Sequence, residues 1–495
     1  MATEHVDVIV VGAGLSGIGA ACHLQEECPG KTYLVLESRA AIGGTWDLFR
    51  YPGIRSDSDM FTLGYGFRPW KDSKSIADGA DIRKYVQDTA REYGVEQNIR
   101  FHHQVLSADW SSEEARWTVT ARRTDTGETV RLSCSWLSTC TGYYRYDEGF
   151  RPHFEGEEQF TGELIHPQHW PEDFDGTGKK IVVIGSGATA VTLVPSLAGA
   201  AEHVTMLQRT PSYVLSLPGR DPLAQLLRNK LPATIAFPIV RWKNVLLSTA
   251  LYQFSRRRPA AARKLIRRLT EKQLPAGFDV DTHFNPPYDP WDQRLCLVPD
   301  GDLFRTLRRG DASIATGRIA RFTGKGIALE SGEHLDADVV VTATGLNLLT
   351  MGGMSLTVDG QPVDVSAAVS YKGMMLSGVP NFTMVIGYTN ASWTLKADLV
   401  NRYVCRLINH LDAQGHVSAT PVAPPEGADQ PFLDLASGYV QRSLQKLPKQ
   451  GSRTPWRLHQ NYIRDVRLMR RGPLADEGMT FQTRTAAPRT EQSAA

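Results

Sequence analysis

Two glycine-rich turns, each entered from a short apolar run, constrain this chain more than any other feature. The first run, residues 6–11, reads Val-Asp-Val-Ile-Val-Val and leads straight into Gly12-Ala13-Gly14-Leu15-Ser16-Gly17. An apolar, β-branched run of this length is what a buried parallel strand looks like. Residues 18–25 then read as helix, and a second apolar run at 33–36 ends in Glu37, 20 residues after Gly17. This is a complete strand–turn–helix–strand unit rather than an isolated motif. Gly12 makes the turn, Gly14 admits a pyrophosphate, Gly17 lets helix pack on strand, and Glu37 can hold a ribose diol.

A second copy starts at residues 181–184, Ile-Val-Val-Ile, and continues as Gly185-Ser186-Gly187-Ala188-Thr189-Ala190. Its next strand, 204–207, is followed by Gln208-Arg209-Thr210, with Arg209 standing 19 residues after Ala190 where an acid would be expected. A carboxylate there would repel a 2′-phosphate, whereas a guanidinium binds it bidentately. An acid in the first unit and an arginine in the second suggest FAD first and NADPH second. Residues 137–142 and 339–345 are β-rich runs that each end in Thr-Gly, marking crossings between two nucleotide domains. Residues 99–105 alternate as a strand would.

The expected fold is therefore α/β, with two Rossmann-like dinucleotide-binding domains, for FAD and NADPH, and a helical insertion. The FAD domain takes residues 1–148 and 343–480, the NADPH domain 149–220 and 291–342, and the insertion 221–290. A disordered tail is expected over 481–495, which is polar and rich in small residues. The insertion differs in composition from the rest. Between 221 and 275 it carries twelve Lys or Arg against two acids, with apolar residues interleaved at helical spacing. A solvated basic face and weak peripheral contact with an anionic membrane surface are the two readings of it.

At 495 residues the chain is long enough for several domains, and its net charge of only +2 implies no bulk attraction to nucleic acid. Its six cysteines form no CxxC pair, so no metal site or CxxC redox pair is expected, only buried thiols. No apolar run approaches the ~18 residues that would span a bilayer. Glu4 and Asp7 stand where a secretory leader would be basic, and a cytoplasmic protein is expected.

Chemistry is expected around Gly43-Gly44-Thr45-Trp46-Asp47-Leu48-Phe49-Arg50-Tyr51-Pro52-Gly53-Ile54-Arg55-Ser56-Asp57, just past the first fingerprint. Two glycines bring backbone close to something flat and bulky, and a Tyr-Pro-Gly turn then offers an Arg and an Asp from a loop. This stretch matches G-G-x-W-x-x-x-x-[FY]-P-G-x-x-x-D at every fixed position. Residues 160–171, Phe-Thr-Gly-Glu-Leu-Ile-His-Pro-Gln-His-Trp-Pro, match F-x-G-x-x-x-H-x-x-x-W-P. The pair of signatures resembles that of type I Baeyer–Villiger flavin monooxygenases, and the likeness runs from residue 1 to about 480. The wording of 45–59 and 387–396 looks most like mycobacterial members of that family.

The resemblance implies an enzyme that uses NADPH, FAD and O₂ to insert one oxygen beside a ketone carbonyl. The product would be an ester or lactone, formed through a C4a-peroxyflavin, and sulfides or thiocarbonyls would also be oxidised. It further implies that Arg294 is the cation beside the reacting oxygen and that Asp57 orients it. Ser16, Thr45, Trp46 and Leu48 would border FAD, with the Val105 backbone near its adenine. Arg55 and Ser56 would lie where flavin and nicotinamide meet. His166 would belong to an interdomain hinge, and Trp170 to packing. Two departures from the family pattern stand out. Gln293 precedes Arg294 where many members have Lys, leaving NADPH preference to Arg209 and Thr210. Leu346-Asn347 replaces an aromatic-Asp pair after Gly345. The competing reading is a flavin monooxygenase confined to nitrogen or sulfur. A disulfide reductase is disfavoured because residues 43–57 contain no cysteine.

Overall fold

The computed structural model describes residues 3–228, 230–433 and 435–483, and its described strands form two principal sheets. In the first, Glu4–Val11 runs parallel to Tyr33–Leu36 on one side and to Thr129–Thr139 on the other. Glu4–Val11 and Tyr33–Leu36 are apolar along most of their length because both faces are covered, and Val8, Ile9 and Val10 are at most 1 % exposed. The antiparallel strands Arg116–Arg123 and His103–Ser111 extend the sheet beyond Thr129–Thr139. Ser355–Val358 and Phe382–Met384 return to it from late in the chain, so this unit is built from two separated stretches.

The strand expected over 99–105 is instead two strands, Ile99–Arg100 and His103–Ser111. His102 breaks it with φ of 60°. The break turns the chain from a parallel partner of Tyr33–Leu36 into the first strand of the antiparallel meander. The second sheet is five-stranded and parallel, in the order Ala312–Thr316, His203–Gln208, Lys180–Ile184, Val339–Thr342, Glu163–Ile165. After each of the two Thr-Gly runs the chain passes from one principal sheet to the other. Just past them, Tyr144–Gly149 and Leu346–Leu348 pair antiparallel as a two-stranded connector.

Residues 221–290 supply the helices Pro222–Arg228, Ala233–Arg257, Pro259–Glu271 and Val280–Phe284. Residues 481–483, assigned from sequence to the tail, form the end of the strand Met479–Thr483, which pairs antiparallel with His416–Pro421. The rest of the expected tail, 484–495, lies outside the described residues. All six cysteines are buried and free. No helix among the described residues is long and apolar enough to cross a membrane.

The helix Leu15–Glu27 packs on the long helix Trp393–Gln414, and their contact holds a buried charge network. His23 is 1 % exposed and lies 2.8 Å from Asp398 and 3.1 Å from Glu27. Burial alone would lower its imidazole, but the hydrogen bonds with Asp398 and Glu27 raise it. Burial alone would raise the Asp398 carboxyl, but His23 pulls it down to about 2. The sign follows from linkage. Stability owed to His23 is full below its ordinary 6.5 and lost as pH rises through the elevated value; that owed to Asp398 is full above 3.8 and lost as pH falls toward about 2. Asp398→Asn is expected to cost about 3 kcal/mol near pH 5.5 by leaving a buried imidazolium without its main partner. Urea unfolding across pH 4 to 8 (about 1-unit steps) checks this; an unchanged midpoint would deny the pair its role.

Candidate active site

A cavity of about 750 Å³ is bordered by residues of both nucleotide units. Its floor beneath the first fingerprint is bare backbone. Gly12 has φ of +103°, and a Cβ there would sit 2.8 Å from the Cys140 carbonyl oxygen. A Cβ on Gly14 would touch the Cα of Gly44, itself at φ +55°. Gly17 packs against the Gly12 carbonyl and does not line the cavity, as expected of the glycine that seats the helix. Glu37 closes this end. Its Oε2 accepts the Ala13 N–H at 2.7 Å and its Oε1 the Arg39 N–H at 2.9 Å. Burial raises its carboxyl, against the lowering effect of those two amides.

Ser16, Thr45, Trp46 and Val105 line the same cavity. Ser16 Oγ accepts the indole N–H of Trp393 at 2.7 Å, and the Thr45 hydroxyl meets that of Tyr146 at 3.1 Å. Leu48, also expected to border FAD, is not among the residues that line it. It ends the four-residue helix Thr45–Leu48, where its amide donates to the Gly44 carbonyl at 3.0 Å. Asp47, one residue earlier, is buried among Arg39, Arg50 and Arg83 at 2.6, 2.8 and 3.4 Å, a clamp that spacing did not reveal.

At the second fingerprint, a Cβ on Gly185 would lie 2.4 Å from the Ala343 carbonyl oxygen. Gly187 has open space beside it and precedes the helix Ala188–Leu197, whose Ala188 and Thr189 line the cavity. Ala190 is fully buried against the sheet. Ser186 Oγ donates to the Thr210 carbonyl at 2.9 Å, so Thr210 braces the turn. Arg209 is exposed at the end of His203–Gln208 and makes no ion pair among the described residues. Gly185, Ser186, Gly187, Ala190, Arg209 and Thr210 are therefore beside the cavity rather than on its wall.

Asp57 and Arg294 meet on the wall. Arg294 Nη2 lies 2.6 Å from Asp57 Oδ2, and each side chain is 32 % exposed. The Asp57 charge holds the guanidinium further above its ordinary value, with burial opposing it. Tyr143, Tyr144 and Tyr439 are the other groups acting electrostatically on Arg294. Tyr143 and Tyr144 line the cavity, edge to face at 4.7 Å, and Tyr143 lies 5.1 Å from the Trp393 ring. Sequence reasoning passed over both tyrosines; their only signal was their place directly after the first Thr-Gly crossing.

The loop bearing Asp57 is tied down from both sides. Arg55 lines the cavity and pairs with Asp302 at the head of Asp302–Arg309, with Nη2 3.3 Å from Oδ1. Ser56 Oγ donates to the Ser58 carbonyl at 2.6 Å and accepts the Ser58 N–H at 2.9 Å. A Cβ on Gly53, at φ +73°, would lie 1.8 Å from Ser196 Oγ in the helix Ala188–Leu197. Asp59 caps the helix Met60–Leu63 and accepts the Asn244 Nδ2–H at 2.8 Å. Arg241, buried on the same insertion helix, donates to the carbonyls of Phe61 and Gly64, each at 2.8 Å.

His166 does not line the cavity. A Cβ on Gly149 would lie 1.9 Å from its Cε1, and burial lowers its imidazole. The ring is thus wedged against the connector between the units. Trp170 packs edge to face on Phe174 at 4.9 Å. No group of His, Cys, Asp and Glu among the described residues is arranged to hold a metal.

Comparison with known proteins agrees with the family and the fold. The flavin-binding monooxygenase-like family model matches residues 65–349, and an NAD(P)-binding Rossmann-like domain matches residues 10–85. The FAD-containing monooxygenase EthA of Mycobacterium tuberculosis is 57 % identical over 98 % of this chain and 99 % of its own. EthA of Mycolicibacterium smegmatis is 54 % identical over 98 % and 99 %. Among solved structures, an oxidized steroid monooxygenase bound to NADP has a TM-score of 0.77 at 23 % identity, covering 97 % of this chain and 99 % of that one. An open structure of cyclohexanone monooxygenase reaches 0.73 at 20 %, covering 97 % and 100 %; at such identities these two speak for the fold alone. With a family model spanning more than half its residues and relatives above half identity across its length, the chain belongs to the flavin-binding monooxygenase-like family.

Proposed function

We propose that this protein is an FAD- and NADPH-dependent Baeyer–Villiger monooxygenase that also oxidises sulfides or thiocarbonyls. A ketone, O₂, NADPH and a proton would give an ester or lactone, NADP⁺ and water. The observation that carries the reading is the Arg294–Asp57 pair on the wall of a cavity reached by both dinucleotide units. The residues suit the two cofactors. Bare backbone at Gly12, Gly14 and Gly44 leaves room for a pyrophosphate beside the Glu37 carboxyl. The exposed Arg209, which makes no ion pair among the described residues, and the open approach at Gly187 suit a nucleotide with a 2′-phosphate.

When bound, the flavin supplies the transfer of NADPH electrons to O₂ and carries the oxygen to be inserted. Arg294 contributes a fixed positive charge where negative charge develops on oxygen as the carbonyl is attacked. A guanidinium stays protonated throughout the working pH range, so it stabilises that charge without giving up a proton. Asp57 keeps Arg294 aimed into the cavity instead of toward water. Leu349, Met351 and Trp393 furnish apolar wall that excludes water from the reacting atoms.

Arg294→Ala is expected to keep FAD bound and to lower ester formation by roughly 10²–10³-fold, as loss of one charge-stabilising donor does. Product from ¹⁸O₂ and a ketone panel, read by mass spectrometry, measures this; undiminished ester would remove Arg294 from the mechanism. A sulfide panel run alongside separates ketone insertion from a monooxygenase confined to nitrogen or sulfur. Glu37→Gln is expected to raise the FAD dissociation constant about tenfold, since one charge-assisted contact to the ribose is exchanged for a neutral one. Flavin fluorescence on dilution reports it. Arg209→Ala should raise KM for NADPH by about 10–100-fold while barely altering that for NADH. Equal effects on both would place the 2′-phosphate elsewhere.

A further inference from the structure

Ten large hydrophobic side chains stand exposed among the described residues, and nine of them lie between Leu226 and Leu269. Exposed apolar residues are ordinarily scattered singly, so this concentration calls for a cover. On Ala233–Arg257, Ile235, Ile239, Trp242 and Leu246 recur at steps of four, three and four, which stacks them on one face of the helix. Arg241 and Val245 are buried on the side turned to the body of the protein. The following helix, Pro259–Glu271, exposes Leu265 and Leu269, likewise four apart.

Charge accompanies this apolar stripe. Lys243, Arg263 and Arg267 are paired with Asp221, Asp289 and Asp281. Arg257, Arg258, Lys264, Arg268 and Lys272 have no carboxylate partner among the described residues, and four of them are arginine or lysine on or directly flanking the second helix. Whatever covers the face must therefore offer both apolar depth and negative charge. A second copy of this chain, brought up by a two-fold axis, would set the same unpaired cations against one another. An anionic bilayer offers lipid phosphates to the guanidinium and ammonium groups, and acyl chains to Trp242 and the leucines.

We propose that the helices Ala233–Arg257 and Pro259–Glu271 form a docking face for the surface of an anionic lipid bilayer. The face binds from one side without insertion of a spanning helix. Its inward side meanwhile grips the active-site loop through Arg241 and Asn244.

The test is sedimentation of the purified, FAD-loaded full chain with phosphatidylcholine vesicles, with and without phosphatidylglycerol, at low and high salt. Pelleting is expected only with phosphatidylglycerol and is expected to weaken with salt. The triple variant Arg257→Gln, Arg268→Gln, Lys272→Gln should lower partitioning by about 100-fold, at about fivefold per cation lost. Trp242→Ser with Leu246→Ser should weaken it as well. Both variants should retain flavin absorbance and NADPH oxidation in vesicle-free buffer, which shows that they fold. Three results would overturn the proposal: no pelleting at low salt, pelleting indifferent to both variants, or a vesicle-free dimer that Trp242→Ser with Leu246→Ser dissolves. The last would assign the face to a second copy.

Discussion

Both nucleotide units depend on the same missing atom. At Gly12 a Cβ would meet the Cys140 carbonyl at 2.8 Å, and at Gly185 a Cβ would meet the Ala343 carbonyl at 2.4 Å. Each carbonyl lies at the end of a strand that runs on into the crossing between units. With no side chain in the way, the turn after the first strand presses directly against the crossing. The connector Tyr144–Gly149 with Leu346–Leu348 can then leave from the same place on both sheets. The cavity lies at that convergence, walled by the first turn, the first crossing and the start of the helix Ala188–Leu197. A methyl group at either glycine would force the turn off the neighbouring strand end of its own unit before any cofactor was involved.

Much of this was legible along the chain because it is local. A strand, a glycine turn and a helix follow one another within a few residues, and their spacing survives without knowledge of the fold. The acid at Glu37 and the base at Arg209 could be read the same way. The Arg294–Asp57 contact could not, since nothing local links the two residues, and only the resemblance to a family brought them together. Strand 99–105 was misread for a related reason. Alternation of apolar residues carries no mark of the single left-handed residue, His102, that divides it. Leu48 was expected at the flavin by analogy alone, and no local pattern in the sequence marks whether it borders the cavity.

The insertion shows how composition conceals direction. Its basic residues look alike in sequence, yet they do opposite things. Arg241 is buried and spends its donors on the carbonyls of Phe61 and Gly64, satisfying the end of a helix beside the active-site loop. Arg257 and Arg268 face outward with no partner among the described residues. Helical periodicity separates them once the helix boundaries are known, and burial then tells which face is which. A charge count alone merges a structural clamp with a surface.

Gly53 has a mechanical consequence. Its α-carbon approaches so closely that a Cβ would overlap Ser196 Oγ, 1.8 Å away. The loop carrying Arg55 and Asp57 in the first unit thereby rests on a helix of the second unit, with only a hydrogen atom between. Such a contact behaves as a bearing. Rotation of one unit against the other must slide the loop along Ala188–Leu197 or lift it off. In either case the separation of Asp57 and Arg294 would change with the angle between the units, so the geometry of that ion pair is geared to how the two units sit.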